Sequence, residues 1–312
     1  MHSEGRSIVL GAGPMGRTIA ETLAAKKVPV TVVTRDGRAI SGDVDVARAD
    51  LSDPAQTSAA CRGADVIYFC AAPPYHQWST AFPALQEAAI AAAAQTGAVL
   101  VAVENLYGYG VAGTLHEGMP LEAKTRKGAV RAQMSKRLLA AHETGEARCV
   151  AGRATDFFGP GVPMSALGER FWPALLAGKT IDWVGDPDAP HSFAYLPDLA
   201  KAYVDLGERS GTWGRAWHLP ALPPISVREL CARVRGSDAT IKIRKTPSWV
   251  LRAVGVFQPA ARELIEMRYM FDEPFEIDHS DFDGSVGPTE TNWETAINAT
   301  VAWWSSQEKQ AA

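Results

Sequence analysis

Three glycines at fixed spacing, Gly11, Gly13 and Gly16, carry the clearest chemistry in this chain. They sit in the run Ile8-Val9-Leu10-Gly11-Ala12-Gly13-Pro14-Met15-Gly16-Arg17. A short apolar stretch enters the loop, and Ile19, Ala20, Leu23, Ala24 and Ala25 leave it with helical spacing. In a strand–turn–helix unit of this kind each glycine has a mechanical task. Gly11 permits the tight turn, Gly13 lets the backbone approach a pyrophosphate, and Gly16 lets the helix pack on the strand. Free N–H groups at the helix start then hold the anion. Gly11, Gly13, Pro14, Met15, Gly16 and Arg17 therefore read as the phosphate-binding turn of a dinucleotide site.

The residues that choose the dinucleotide lie further on. An acidic side chain roughly 20 residues beyond the loop marks an NAD site, where it takes the ribose hydroxyls. This chain offers Thr34 and then Arg35. A hydroxyl and a guanidinium suit the 2′-phosphate of NADP, which needs donors and positive charge. Arg17 and Arg38 are available to close round the same group. Asp36 keeps NAD open as the alternative, because a strand ending two residues later presents it to the ribose. The expected coenzyme is NADP.

These residues need a parallel sheet to position them, and the first half of the chain supplies its pattern. Apolar runs at Val28 to Thr34, Val44 to Ala49, Asp65 to Ala71, Ala98 to Val103 and Arg148 to Arg153 predict strands. Helical patterns at Ala81 to Gln95 and Ala129 to Thr144 lie between the later ones. Right-handed βα units of this sort build a doubly wound α/β sheet of Rossmann type, covered on both faces. Beyond Gly159-Pro160-Gly161 the pattern loosens. Helices are expected at Ser165 to Ala177, Pro197 to Glu208, Val227 to Arg235, Trp249 to Phe271 and Asn298 to Trp304. Short strands are expected at Thr180 to Val184 and Ile241 to Ile243. The expected division is a dinucleotide domain over 1–160 and a smaller α+β substrate lobe over 161–312, some of whose elements return to the main sheet. Trp172, Trp183, Trp217 and Trp249 are expected either in that lobe's core or around an aromatic substrate pocket.

Bulk properties exclude several classes. The net charge of −4 gives no basic field for nucleic acid. No apolar run approaches the roughly 20 residues of a membrane span. Met1 to Arg6 leads straight into a strand, so no signal peptide is expected and the cytoplasm is the expected compartment. Cys61, Cys70, Cys149 and Cys231 lack metal-ligand spacing and are expected as reduced, mostly buried thiols. His116, His191 and His218 are too scattered for a zinc reading, and no metal is expected.

The order of further motifs resembles the extended short-chain dehydrogenase/reductase superfamily, in its NAD-dependent epimerase/dehydratase branch. Ala49-Asp50-Leu51-Ser52-Asp53 is similar to that family's D-L-x-D segment, which implies that Asp50 and Leu51 meet the adenine. Cys70-Ala71-Ala72 stands at its small-residue turn, which places Ala71 and Ala72 along the coenzyme. Asn105-Leu106-Tyr107-Gly108 parallels V-Y-G, and Arg153-Ala154-Thr155-Asp156-Phe157-Phe158-Gly159-Pro160-Gly161 parallels R-x-x-N-x-Y-G-P-G. Ser192-Phe193-Ala194-Tyr195-Leu196-Pro197-Asp198-Leu199-Ala200 is similar to D-F-I-H-V-D-D-x-A.

The family's acid–base set does not carry over. It implies a Ser or Thr at the end of the fifth strand, where this chain has Val103, and a Tyr-x-x-x-Lys at positions held by Thr125 and Ala129. No Tyr-x-x-x-Lys occurs anywhere in the sequence. Substitutes are at hand. Tyr107 or Tyr109 leaves the carboxyl end of the fifth strand and offers a phenol acid. Lys127 can reach the ribose or carboxamide in place of the lost lysine, so it serves as both a coenzyme and a catalytic candidate. Asn105 or Asp156 can orient a substrate oxygen. Each has a plain alternative: local packing for Tyr107, a solvated charge for Lys127. Glu104 is either a general base or a partner for Arg131, and His76 borders the pocket or lies on the surface.

Three functions follow as expectations. The first is an NADP-dependent oxidoreductase that reduces a carbonyl or enone of a small, fairly apolar or aromatic substrate. The alternatives are a nucleotide-sugar epimerase/dehydratase-like enzyme and a non-catalytic NADP-binding redox sensor. A small-molecule substrate is the expected partner, and the alanine-rich Ala81 to Gln95 face permits a homodimer.

Overall fold

The computed structural model of the chain describes residues 5–40, 42–237, 241–247, 249–250 and 265–311. A seven-stranded sheet runs in the order β11-β7-β5-β4-β1-β2-β3. Its strands are β1 (Ser7–Leu10), β2 (Val30–Thr34), β3 (Asp45–Arg48), β4 (Val66–Phe69), β5 (Val99–Asn105), β7 (Arg148–Ala154) and β11 (Ala216–His218). Every neighbour in it is parallel, with Leu10 opposite Val33 on one side and Phe69 on the other. Strands covered on both faces must be apolar on both, and β1 is buried at all four positions. The strand order reverses between β1 and β4, which opens a crevice at their carboxyl ends.

Helices α1 (Pro14–Ala25) and α6 (Leu196–Glu208) cover one face, and α2 (Pro54–Ala60), α3 (Trp78–Thr96) and α4 (Arg126–Glu143) the other. Helix α3 begins earlier than the pattern predicted. The Trp78 indole N–H donates to the Pro73 carbonyl at 3.1 Å and fastens that end, while Gly97 closes the other in the left-handed region at φ 71°. Helix α4 also begins early, at Arg126, because the Thr125 hydroxyl accepts the Gly128 N–H at 3.1 Å and caps it. The buried faces of Ala88, Ala89, Ala92 and Ala93 on α3 belong to the core.

The boundary near residue 160 is crossed in both directions. Strand β11 and helix α6 join the main sheet from the second half, and β6 (Gly113–Leu115) leaves the first half to pair with β13 (Phe275–Ile277). The rest of the second lobe holds β8 (Phe157–Phe158) paired with β10 (Ala194–Tyr195), and β9 (Ile181–Trp183) paired with β12 (Ile243–Lys245). Its core gathers Phe158, Phe171, Trp172, Trp183, Phe193, Trp293 and Trp304.

Several expectations are corrected. The helix over 165–177 shortens to Trp172–Leu176, because Glu169, Phe171 and Trp172 spend their N–H groups on a tight turn around Gly168. The strand at 241–243 lies at Ile243–Lys245, in register with Ile181–Trp183. Most of the expected helix over 249–271 lies outside the described residues; its end is a short turn at Ile265–Met267 and the helix Tyr269–Asp272. Trp217 belongs to the main sheet's core, its indole bonded to Thr212, and Trp249 is exposed. The closing helix extends over Trp293–Ala311.

Candidate functional site

The crevice begins at the turn between β1 and α1. Gly11 has φ +105°, and a Cβ there would lie 2.8 Å from the Ala71 Cα. A Cβ at Gly16 would lie 2.0 Å from the Gly11 carbonyl oxygen. Only glycine allows those two approaches. Gly13 differs, because a Cβ there would meet nothing within 4 Å. It faces open space at the N-cap of α1, where no side chain caps the helix and Pro14 removes one N–H. The N–H groups of Met15 and Gly16 are thus left in the uncapped first turn, the arrangement that accepts a phosphate. Arg17 donates its Nε to the Ala12 carbonyl at 2.9 Å and braces the loop.

At the end of β2, the Thr34 hydroxyl accepts the Gly37 N–H at 2.9 Å and shapes the turn. Asp36 accepts the Arg38 backbone N–H and pairs with its guanidinium at 3.0 Å. The backbone bond first, with Thr34 and the Arg38 charge, holds that carboxyl below its ordinary range. Asp36 and Arg38 therefore face one another. The exposed Arg35 guanidinium makes no hydrogen bond among the described residues. Asp50 lies near enough for the Arg35 charge to reach it; its carboxyl is lowered chiefly by the Ser52 hydroxyl at 2.7 Å. Leu51 is buried beneath it, and Ala71 and Ala72 follow β4 across the crevice.

Further along the sheet edge, Asn105 accepts the Tyr107 N–H at 3.3 Å and holds the turn after β5. The Tyr107 hydroxyl meets that of Tyr75 at 2.5 Å, and Trp78 packs against both rings. Burial first, then Tyr75 and the Asp156 charge, pushes the Tyr107 phenol well above 10. It keeps its proton rather than acting as a base. Lys127 is only 3 % exposed. Its ammonium bonds Glu266 at 2.6 Å and lies 4.7 Å over the Tyr75 ring. The solvated reading of Lys127 is thereby corrected, since helix α4 turns it inward. Thr125, expected at the place of the family's tyrosine, is occupied as the cap of α4.

Glu104 is also corrected. Its partner is Arg153, at 3.2 Å, together with the Ser135 hydroxyl at 2.8 Å, while Arg131 bonds the Val103 carbonyl. Arg153 continues to the Tyr109 hydroxyl at 2.6 Å, and Tyr109 to His218 Nε2 at 2.7 Å. All these side chains are buried, so the chain ties β5, α4, β7 and β11 together behind the crevice. His76 is on the surface beside Gln77. Burial pushes the thiols of Cys61, Cys149 and Cys231 up to about 12, which leaves them inert.

The sequence pointed to His191 only as a rejected metal ligand and gave no site role to Tyr75, Glu266 or Tyr269. His191 Nε2 lies 3.2 Å from Asp156 Oδ2. The one available signal was position: His191 directly precedes the Ser192 to Ala200 motif and Asp156 lies inside another. Among the described residues, no three His, Cys, Asp or Glu side chains are grouped to hold a metal ion, and no helix is long and apolar enough to cross a membrane.

Residues 7–217 match the family model described as NAD dependent epimerase/dehydratase family. No curated protein matches the sequence. Solved structures share the whole fold. Pal from Bacillus thuringiensis superposes with a TM-score of 0.78 at 14% identity, over 97% of this chain and 99% of that one. A double mutant of DesIV, the dTDP-glucose 4,6-dehydratase of Streptomyces venezuelae solved with NAD and DAU bound, gives 0.77 at 18% over 98% of both. The UDP-N-acetylglucosamine 4-epimerase of Methanobrevibacter ruminantium M1 gives 0.76 at 19%, over 97% and 99%.

Proposed function

The chain belongs to the NAD dependent epimerase/dehydratase family, and from that premise we propose that it is a nicotinamide-dinucleotide enzyme acting on a carbon that bears a hydroxyl or carbonyl oxygen. The observation that carries this reading is the open face of Gly13 beside the uncapped start of α1. Met15 and Gly16 would hold the pyrophosphate, Asp50 and Leu51 the adenine, and Ala71 and Ala72 the path toward the nicotinamide. Arg35 favours NADP over NAD. When bound, the coenzyme supplies or accepts a hydride.

The protein's own residues present the substrate. Tyr75 and Tyr107, backed by the buried Trp78, line the carboxyl ends of β4 and β5 with aromatic surface, and the Tyr107 phenol keeps its proton. Asn105 fixes the turn that carries it, and the Lys127 ammonium lies over the Tyr75 ring. The nearby cations Lys127 and Arg153 are committed to Glu266 and Glu104, while Asp156 adds a carboxyl. A diphosphate finds poor company there. A small, uncharged, apolar or aromatic carbonyl compound suits this lining, and its reduction is the reading the site supports.

A second reading comes from the comparisons, which favour it: two of the similar structures are named for enzymes of dTDP- and UDP-sugars. One experiment separates the two. NADPH and NADH binding is titrated by fluorescence, then turnover is followed with acetophenone, benzaldehyde and isatin, and with UDP-glucose and dTDP-glucose by product analysis. Consumption of NADPH with a carbonyl compound supports the reductase; a changed sugar supports the second reading. Binding without any turnover returns the redox-sensor reading, and failure to bind either coenzyme defeats all three.

A further inference from the structure

The proposed reaction needs a group that exchanges a proton with the substrate oxygen, and the sequence contains no Tyr-x-x-x-Lys to supply it. Asp156 follows β7 at the carboxyl edge of the sheet, where parallel sheets bind ligands. Its Oδ2 faces His191 Nε2 at 3.2 Å, and His191 Nδ1 lies 3.1 Å from the Met270 carbonyl oxygen. A carbonyl only accepts, so Nδ1 carries a hydrogen. Nε2 and Oδ2 would then be two acceptors face to face unless a proton lies between them. A proton therefore lies between Nε2 and Oδ2.

The ring cannot turn away. His191 exchanges both backbone hydrogen bonds with Ile225, each at 3.1 Å. Its imidazole stacks on Phe271 at 5.0 Å and on Phe275 at 5.3 Å. Exposure is divided unequally: the His191 side chain is 4% exposed and that of Asp156 22%. Asp156 Oδ1 makes no hydrogen bond among the described residues, so one carboxyl oxygen is held and the other is presented. Two phenols feel its charge, those of Tyr107 and Tyr269. The Tyr269 hydroxyl is buried without a hydrogen-bond partner among the described residues.

We propose that Asp156 is the acid–base residue of this site, that His191 is its positioning residue, and that the Tyr269 hydroxyl receives the substrate oxygen. The proposal rests on the redox reading above. In the reducing direction, once hydride has reached the carbonyl carbon, the π pair resides on oxygen. The Oδ1–H bond of the Asp156 carboxyl then breaks, the alcohol O–H bond forms, the proton between Oδ2 and His191 Nε2 stays in place, and water returns a proton to Oδ1. His191 keeps Oδ2 fixed so that Oδ1 is aimed outward.

Proton NMR of protein carrying ¹⁵N-histidine tests the pair directly. A bridged proton gives a low-field resonance assigned to His191 Nε2 that disappears or moves upfield in Asp156→Asn, while the Nδ1 hydrogen bonded to Met270 keeps its own; an Nε2 resonance that survives the substitution unchanged overturns the proposal. Kinetics on the carbonyl panel give the second readout. Asp156→Asn should lower kcat on the order of 10²- to 10⁴-fold, the usual weight of general acid catalysis, with KM and NADPH affinity within about threefold. Tyr269→Phe removes only an unpartnered hydroxyl, folds as the wild type, and raises KM on the order of tenfold. An active Asp156→Asn beside an active wild type overturns the acid–base role. A wild type that binds NADPH but reduces no carbonyl defeats the redox reading first, and this proposal with it.

Discussion

The Lys127 ammonium lies 2.6 Å from a Glu266 carboxylate oxygen although 139 residues separate them. The other oxygen of that carboxylate accepts the Arg126 N–H at 3.2 Å, at the start of α4. One side chain thus fastens the second lobe to the helix that carries Lys127. Glu266→Gln weakens a charge-assisted bond to a buried cation and should cost about 1–3 kcal/mol of stability. Urea unfolding measures it, and an unchanged midpoint would show that the contact contributes nothing.

The glycine loop separates folding from binding. A methyl group at Gly13 meets nothing in the protein, so Gly13→Ala should melt as the wild type does. It nevertheless occupies the space of the pyrophosphate, and dinucleotide affinity should fall at least tenfold, about 1.4 kcal/mol. Gly16→Ala drives the same methyl against the Gly11 carbonyl and should lose stability as well as binding. Calorimetric titration and thermal melts on the two variants distinguish the roles. Equal binding losses with equal melting losses would contradict the assignment of Gly13.

On the proposed reading, coenzyme choice turns on Arg35. Its loss removes a charge-assisted bond to the 2′-phosphate worth about 1.5–3 kcal/mol, and Arg35→Ala should weaken NADP accordingly while leaving NAD nearly unchanged. Raising the salt concentration should narrow the wild-type preference for NADP. A wild type that favours NAD at low salt would refute this use of Arg35.

Burial holds the His218 imidazole down at about 4, against 6.5 for the free side chain. Between those values the unfolded chain takes up a proton that the folded chain refuses. Stability is complete above pH 6.5 and is lost as the pH falls toward 4, by up to about 3 kcal/mol for a shift of this size. Unfolding curves of wild type and His218→Gln, recorded across that window, should diverge in slope. Parallel curves would assign the pH dependence to other groups.

Legibility in the sequence followed the distance over which each feature is encoded. The turn at Gly11 to Gly16 is local, written within a few residues of itself. The apolar runs of β1, β2, β4, β5 and β7 announce strands because both faces of a parallel strand are covered. Thr125 was legible as a cap by its type, yet the spacing of the family motif drew attention to the place of a missing tyrosine. Strand β11, with only Ala216, Trp217 and His218, is too short to show a period at all.

The sequence by itself determined the dinucleotide turn, the parallel α/β core and the family. Tertiary structure alone decided which polar groups meet: Asp156 with His191 across 35 residues, Glu104 with Arg153 across 49, and Lys127 with Glu266 across 139. Turns and periodicity arise from backbone sterics and from the repeat of a single element, so a short window contains them. A buried charge or imidazole instead takes its partner from whichever distant segment is packed against it, and only the closed fold specifies that neighbour.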